Sequence, residues 1–163
     1  MYSKKIEKAL NDQINKELYS AYLYQSMATY FEDLNMKGFA KWMDVQAQEE
    51  VKHARKIYEY IFSRGGKVIL AGIENPKTKW KNAEEIFSDA LEHEQFVTKS
   101  INSIYELAKK ESDYPTEIFL QWFITEQVEE EETASEILEK IKMFGNDKSA
   151  MYFLDKELGG RVD

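Results

Sequence analysis

A chain of 163 residues with 43% hydrophobic side chains is of a size for one domain, residues 1–163, around a single core. Its formal charge of −8 weighs against nucleic-acid and anionic-membrane partners and would gather cations near the surface. The lack of cysteine excludes disulfides, thiolate metal sites and thiol catalysis.

Two prolines, seven glycines and 32% charged residues, carried on long 3/4 periodicities, predict an all-α protein. The first residues lack the apolar core of a signal peptide. No window approaches about 18 consecutive apolar residues, so the expectation is a soluble, cytoplasmic protein with no membrane partner.

The first helix is expected over about 4–33, with Ser3 as its N-cap and Glu7 in its first turn. A short connector ending at Gly38 leads into a second helix, about 36–63, packed antiparallel to the first and closed by Arg64, Gly65 and Gly66. Residues 64–82 form the one long connection. At about 3.3 Å per extended residue it can cross the length of a helix of about 42 Å, letting the third helix run parallel to the second. Val68, Ile69, Leu70 and Ile73 offer apolar surface to pack this crossover down. The third helix is expected over 83–110, the fourth over 115–143 and a short fifth over 148–158, giving a four-helix bundle with one long crossover.

Each long helix carries an inward seam stepping by four and three residues, and each seam is interrupted by polar groups near its middle. In the second helix the seam is Phe39, Met43, Gln46, Glu50, His53, Ile57 and Tyr60. Glu50 and His53 lie three residues apart, so both leave one face about a turn apart. Glu17 interrupts the first seam, Glu94 the third, and Gln127 with Glu130 the fourth. Four packed helices bring these groups to one level.

Four carboxylates in a dry core repel one another and raise their own pKa values unless cations neutralise them. Four carboxylates, one imidazole and one amide suit two divalent ions sharing a bridging carboxylate, and this oxygen/nitrogen set fits Fe(II), Mn(II) or Zn(II). A buried polar layer that only fixes helix register is the structural alternative.

With Glu17, the pair Glu50 and His53, Glu94, and Gln127 with Glu130 in place, the chain resembles the bacterial and archaeal non-haem ferritins, within the ferritin-like di-iron carboxylate class. The resemblance spans the whole chain. It implies a ferroxidase that oxidises Fe(II) with O2 or H2O2 and stores ferric oxide in a homo-oligomeric shell of 24 subunits. It implies one iron on Glu17, Glu50 and His53, a second on Glu50, Glu94 and Glu130 with Gln127 close by, and a third on Glu49, Glu126 and Glu129, sharing Glu130. It further implies that Tyr24, two turns after Glu17, lies beside the iron pair and supplies an electron. As a residue, Tyr24 is equally a core aromatic, Trp122 adjoins the inward Phe123 and reads as packing rather than as a second electron donor, and the run from Glu126 to Glu132 also reads as a solvated acidic face.

Haem is not expected, since the fourth helix lacks a second Glu-x-x-His and Lys52 stands where haem-binding relatives place methionine. His93 is rotated about 100° from Glu94 and reads as non-ligating, and Met27, Met36, Met43, Met143 and Met151 read as core or interface fillers. A di-iron or di-manganese peroxidase or catalase without storage, or a purely structural helical bundle, are the other functions this set admits.

Overall fold

The computed structural model describes residues 3–162 and places in them five helices: α1 (Lys4–Asp33), α2 (Lys37–Ser63), α3 (Ala83–Lys110), α4 (Tyr114–Phe144) and α5 (Lys148–Leu158). Met1, Tyr2 and Asp163, the ends of the expected domain, lie outside the described residues. The bounds follow the periodicity, with small shifts at two helices. α4 opens at Tyr114 because the Asp113 carboxylate accepts from the Thr116 N–H, leaving Pro115 in a first turn that does not need its missing donor. α2 starts at Lys37, one residue late, because Met36 is its N-cap and offers no side-chain acceptor.

The missing cap comes from the other end of the chain. The Asp155 carboxylate of α5 accepts from the N–H groups of Gly38 and Phe39 at 2.9 and 3.0 Å. α5 approaches so closely that a Cβ on Gly38 would lie 1.6 Å from the Asp155 carbonyl oxygen. Gly38→Ala is therefore expected to lower stability by about 2–3 kcal/mol in urea unfolding. An unchanged midpoint would mean that α5 is not seated there.

The ends of α1, α2 and α3 share one closure, in which a residue in the left-handed region turns the chain out. Gly65 does this at φ 70°, but Asn35 and Ser112 do so at 57° and 54°. The following N–H then reaches back to Phe31, Ile61 or Ala108, each at 2.9 Å.

Antiparallel α1 and α2 are joined by Phe31 stacked on Phe39 and by Gln25 donating to Asp44. The crossover then runs alongside α1 in the same direction. Asn11 bonds the backbone of Lys67 and Ile69, Asn15 that of Gly72, and Ser26 that of Lys77. α3 returns against α1, with Phe87 near Phe31, Glu94 at Tyr24 and Ser100 at Lys16, so it runs parallel to α2 as expected. The reading of the crossover as packed by apolar side chains needs correction. Ile69, Leu70 and Ile73 are 62%, 66% and 42% exposed, and only Val68 packs in part on the core. An extended segment leaves its backbone groups without helix partners, and the Asn and Ser side chains of α1 supply them.

The predicted seams face inward, with Tyr60 at the end of the second one and Ala83 at the start of the third only half-buried. They form two apolar regions. One gathers Phe31, Phe39, Phe87 and Ile141, the other Leu10, Ile57, Ile101 and Leu120. Met27 and Met43 fill the first, with Met36 and Met151 partly buried against it, whereas Met143 is 74% exposed and fills no part of this core. Between the two regions lies a polar layer. No helix of the described residues is long and apolar enough to cross a membrane.

Candidate metal centre

Glu17, Glu50, His53, Glu94, Gln127 and Glu130 are all buried at the mid-plane, one or more from each long helix. Their donor atoms form overlapping groups within 4.8 Å: Glu17 with Glu50 and His53, and Glu50 with Glu94 and Glu130. Glu50 belongs to both. His53 turns Nδ1 toward Glu50 at 3.4 Å and Glu17 at 4.0 Å. Its Nε2 lies 3.9 Å from Glu126, which with Glu130 completes a third group.

Burial sets the electrostatics of this layer. Loss of hydration raises the pKa of Glu17 and Glu50 well above the ordinary carboxylate value, and like charge adds to it, from Glu50 on Glu17 and from Glu94 and Glu130 on Glu50. Burial likewise raises Glu94, and together with the Glu94 charge it pushes Glu130 up to about 8. Glu17 Oε2 is buried without a hydrogen-bond partner among the described residues. An orphaned carboxylate oxygen beside an imidazole and a second carboxylate is the arrangement that a divalent cation satisfies.

Tyr24 is buried and donates its hydroxyl to Glu94 Oε1 at 2.5 Å. Burial first, and then the Glu94 charge, hold the phenol protonated. The Gln127 amide donates to Glu94 Oε2 at 3.1 Å, so its NH2 end and not its oxygen faces the carboxylate. The residues expected at a third site are not gathered. Glu49 is held by Arg161 at 2.6 Å, Glu129 is exposed, and only Glu126 approaches the centre. His93 is spent on Ser20 at 2.6 Å and enters none of the groups. Trp122, 39% exposed, sets its ring 5.4 Å from that of His53.

The Ferritin-like domain family matches residues 7–144. The chain belongs to the ferritin family. Among its relatives are bacterial non-heme ferritins of Staphylococcus haemolyticus and Bacteroides fragilis, each 42% identical over 99% of this chain and covering 97% and 100% of their own lengths. A solved open pore ferritin from the hyperthermophilic archaeon Archaeoglobus fulgidus superposes with a TM-score of 0.98 at 49% identity, over 99% of this chain and all of that one.

This ferritin surrounds its carboxylates with amides that the seam pattern partly hid. Gln13, which the sequence reading did not single out, donates to Glu17 at 2.7 Å and accepts from Ser100 at 2.6 Å. Gln46, read only as a seam member, donates to Glu50 at 3.0 Å and Glu130 at 2.7 Å. Their spacing four residues before Glu17 and Glu50 was the available signal. Arg161 had none, because it meets the site only through the docking of α5.

Proposed function

We propose that this ferritin is a ferroxidase and iron store in a shell of 24 chains. The observation that carries the reading is the orphaned Glu17 oxygen within a buried layer of four carboxylates and one histidine. Fe(II) is the substrate, drawn in by the net negative charge. Glu17, Glu50 and His53 hold one ion, and Glu50, Glu94 and Glu130 the other, with Glu50 shared. Bound cations displace the protons that the metal-free layer retains. Two Fe(II) surrender one electron each, and dioxygen takes both with two protons to leave hydrogen peroxide. Carboxylates favour the harder Fe(III), which then hydrolyses and passes to the mineral.

Tyr24 steadies Glu94 through its hydroxyl, and the two-electron reduction draws no electron from it. Gln127 serves as a hydrogen-bond donor to Glu94. A third iron on Glu49, Glu126 and Glu129 competes with Arg161 for Glu49 Oε2, which favours filling of the first two sites before it. Exposed Ile69, Leu70 and Ile73 on the crossover favour burial against neighbouring subunits.

Anaerobic titration of the metal-free protein with Fe(II), followed by rapid mixing with oxygen, tests this. Saturation near about two ions per chain is expected, with ferric absorbance growing far faster than in buffer and continued uptake beyond that ratio in a 24-chain particle. Weak, non-saturating binding with oxidation at the buffer rate would return the layer to a structural role. Steady peroxide turnover without iron uptake would assign the chain to peroxidase or catalase chemistry.

A further inference from the structure

Residues 159–162 follow α5 along the first half of α2 and bring Arg161 to the metal layer. Lys41 donates to the Gly159 carbonyl at 3.0 Å, and the Arg161 guanidinium lies 4.5 Å from the Trp42 ring centroid. One nitrogen of that guanidinium, Nη2, donates to Gln46 Oε1 at 2.9 Å and to Glu49 Oε2 at 2.6 Å, while Nη1 lies 3.4 Å from the Trp42 carbonyl. Arginine has donors and no acceptor, so it fixes which end of the Gln46 amide is oxygen. The NH2 end is thereby aimed at Glu50 Oε1 and Glu130 Oε2, two carboxylates from different helices.

We propose that Arg161 is a positioning residue that couples the metal pair to Glu49, an inference that rests on the ferroxidase reading. Ionised carboxylates would attract the Gln46 NH2 unaided. That attraction fades once their lone pairs are taken up by metal. Arg161 holds the amide in place, so Glu50 and Glu130 are presented in one geometry for as long as Arg161 stays on Gln46. The same guanidinium occupies Glu49 as a resident cation. A metal ion that takes Glu49 Oε2 competes with Arg161 for it, and Gln46 loses its anchor when Arg161 yields. Occupation of Glu49 therefore loosens the hold of Gln46 on Glu50 and Glu130, the carboxylates that grip the pair.

The test uses the assembled protein and Co(II) under anaerobic conditions, read by its d–d absorbance, alongside Fe(II) oxidation rates. Arg161→Ala is expected to weaken the paired site about tenfold, the low end for loss of a residue that orients metal ligands, and to tighten a further equivalent at the freed Glu49. Gln46→Ala should weaken the pair similarly, and the double variant should be no worse than Gln46→Ala alone. Arg161→Lys, which keeps the charge but not the planar fork, should retain the Glu49 contact and recover only part of the pair affinity. Additive losses for Arg161→Ala and Gln46→Ala, or parental affinities in Arg161→Ala, would overturn the proposal while the wild-type titration still stood. Absence of stoichiometric Co(II) binding in the wild type would instead remove the ferroxidase reading beneath it.

Discussion

Glu50→Leu is expected to abolish paired metal binding and at the same time raise the stability of the metal-free fold. Glu50 is the one carboxylate shared by both main donor groups, so its loss leaves neither with three ligands. Iron oxidation should fall by more than about 100-fold, exceeding the usual cost of removing a residue that merely orients ligands. Yet Glu50 is 2% exposed, and burial and its like-charged neighbours raise its pKa well above the ordinary value. Leucine removes that cost and fills similar volume between Met43 and Ile57, so unfolding should require about 1–3 kcal/mol more. Urea unfolding and stopped-flow oxidation on one preparation read the two effects. A variant that lost stability, or that oxidised iron at the parental rate, would show that the layer is not held against its own electrostatics for the sake of metal.

Metal-free protein should lose stability as pH rises from about 5 to 8. The unfolded chain releases its carboxylate protons near 4.5, the ordinary value, whereas Glu130 in the fold keeps its proton up to about 8. Between these values the native state binds more protons than the unfolded one, so the unfolding free energy falls with pH. Glu17, Glu50 and Glu94 are shifted in the same direction and add to the slope. A loss of at least about 2 kcal/mol is expected from pH 5.5 to 8, taking only part of the shift at 1.36 kcal/mol per unit. Saturating Zn(II) should remove or reverse the trend, because the cation replaces the protons. Urea midpoints at the two pH values, with and without Zn(II), decide it. Flat stability without metal would mean that the carboxylates ionise freely in the fold.

Periodicity made the bundle legible because each long helix buries a stripe that recurs every three or four residues. Glu17, Glu50, Glu94 and Glu130 stood out for the same reason, as charges on a stripe that otherwise excludes them. What escaped was set by long-range packing. Nothing local marks Asp155 as a cap for Gly38, 117 residues away. Nor does local pattern show that Arg161 would reach Gln46 and Glu49, and so place Glu49 in an ion pair with it. Asn11 and Asn15 read as ordinary polar positions on a helix face, and their role in carrying the crossover appears only when the extended chain lies beside them. Asn35 and Ser112 in left-handed closures were hidden because glycine is the residue that usually announces that turn.

The cap that Asp155 lends to α2 also orders events during synthesis. The N–H groups of Gly38 and Phe39 have no acceptor on Met36, so the start of α2 stays frayed while the ribosome is still making the rest of the bundle. Only after Asp155 emerges does that end close, and only after Arg161 emerges is Gln46 anchored beside Glu50 and Glu130. A chain that stops short of Asp155 can thus collapse around its apolar halves while the start of α2 and the Gln46 amide are both still unfixed.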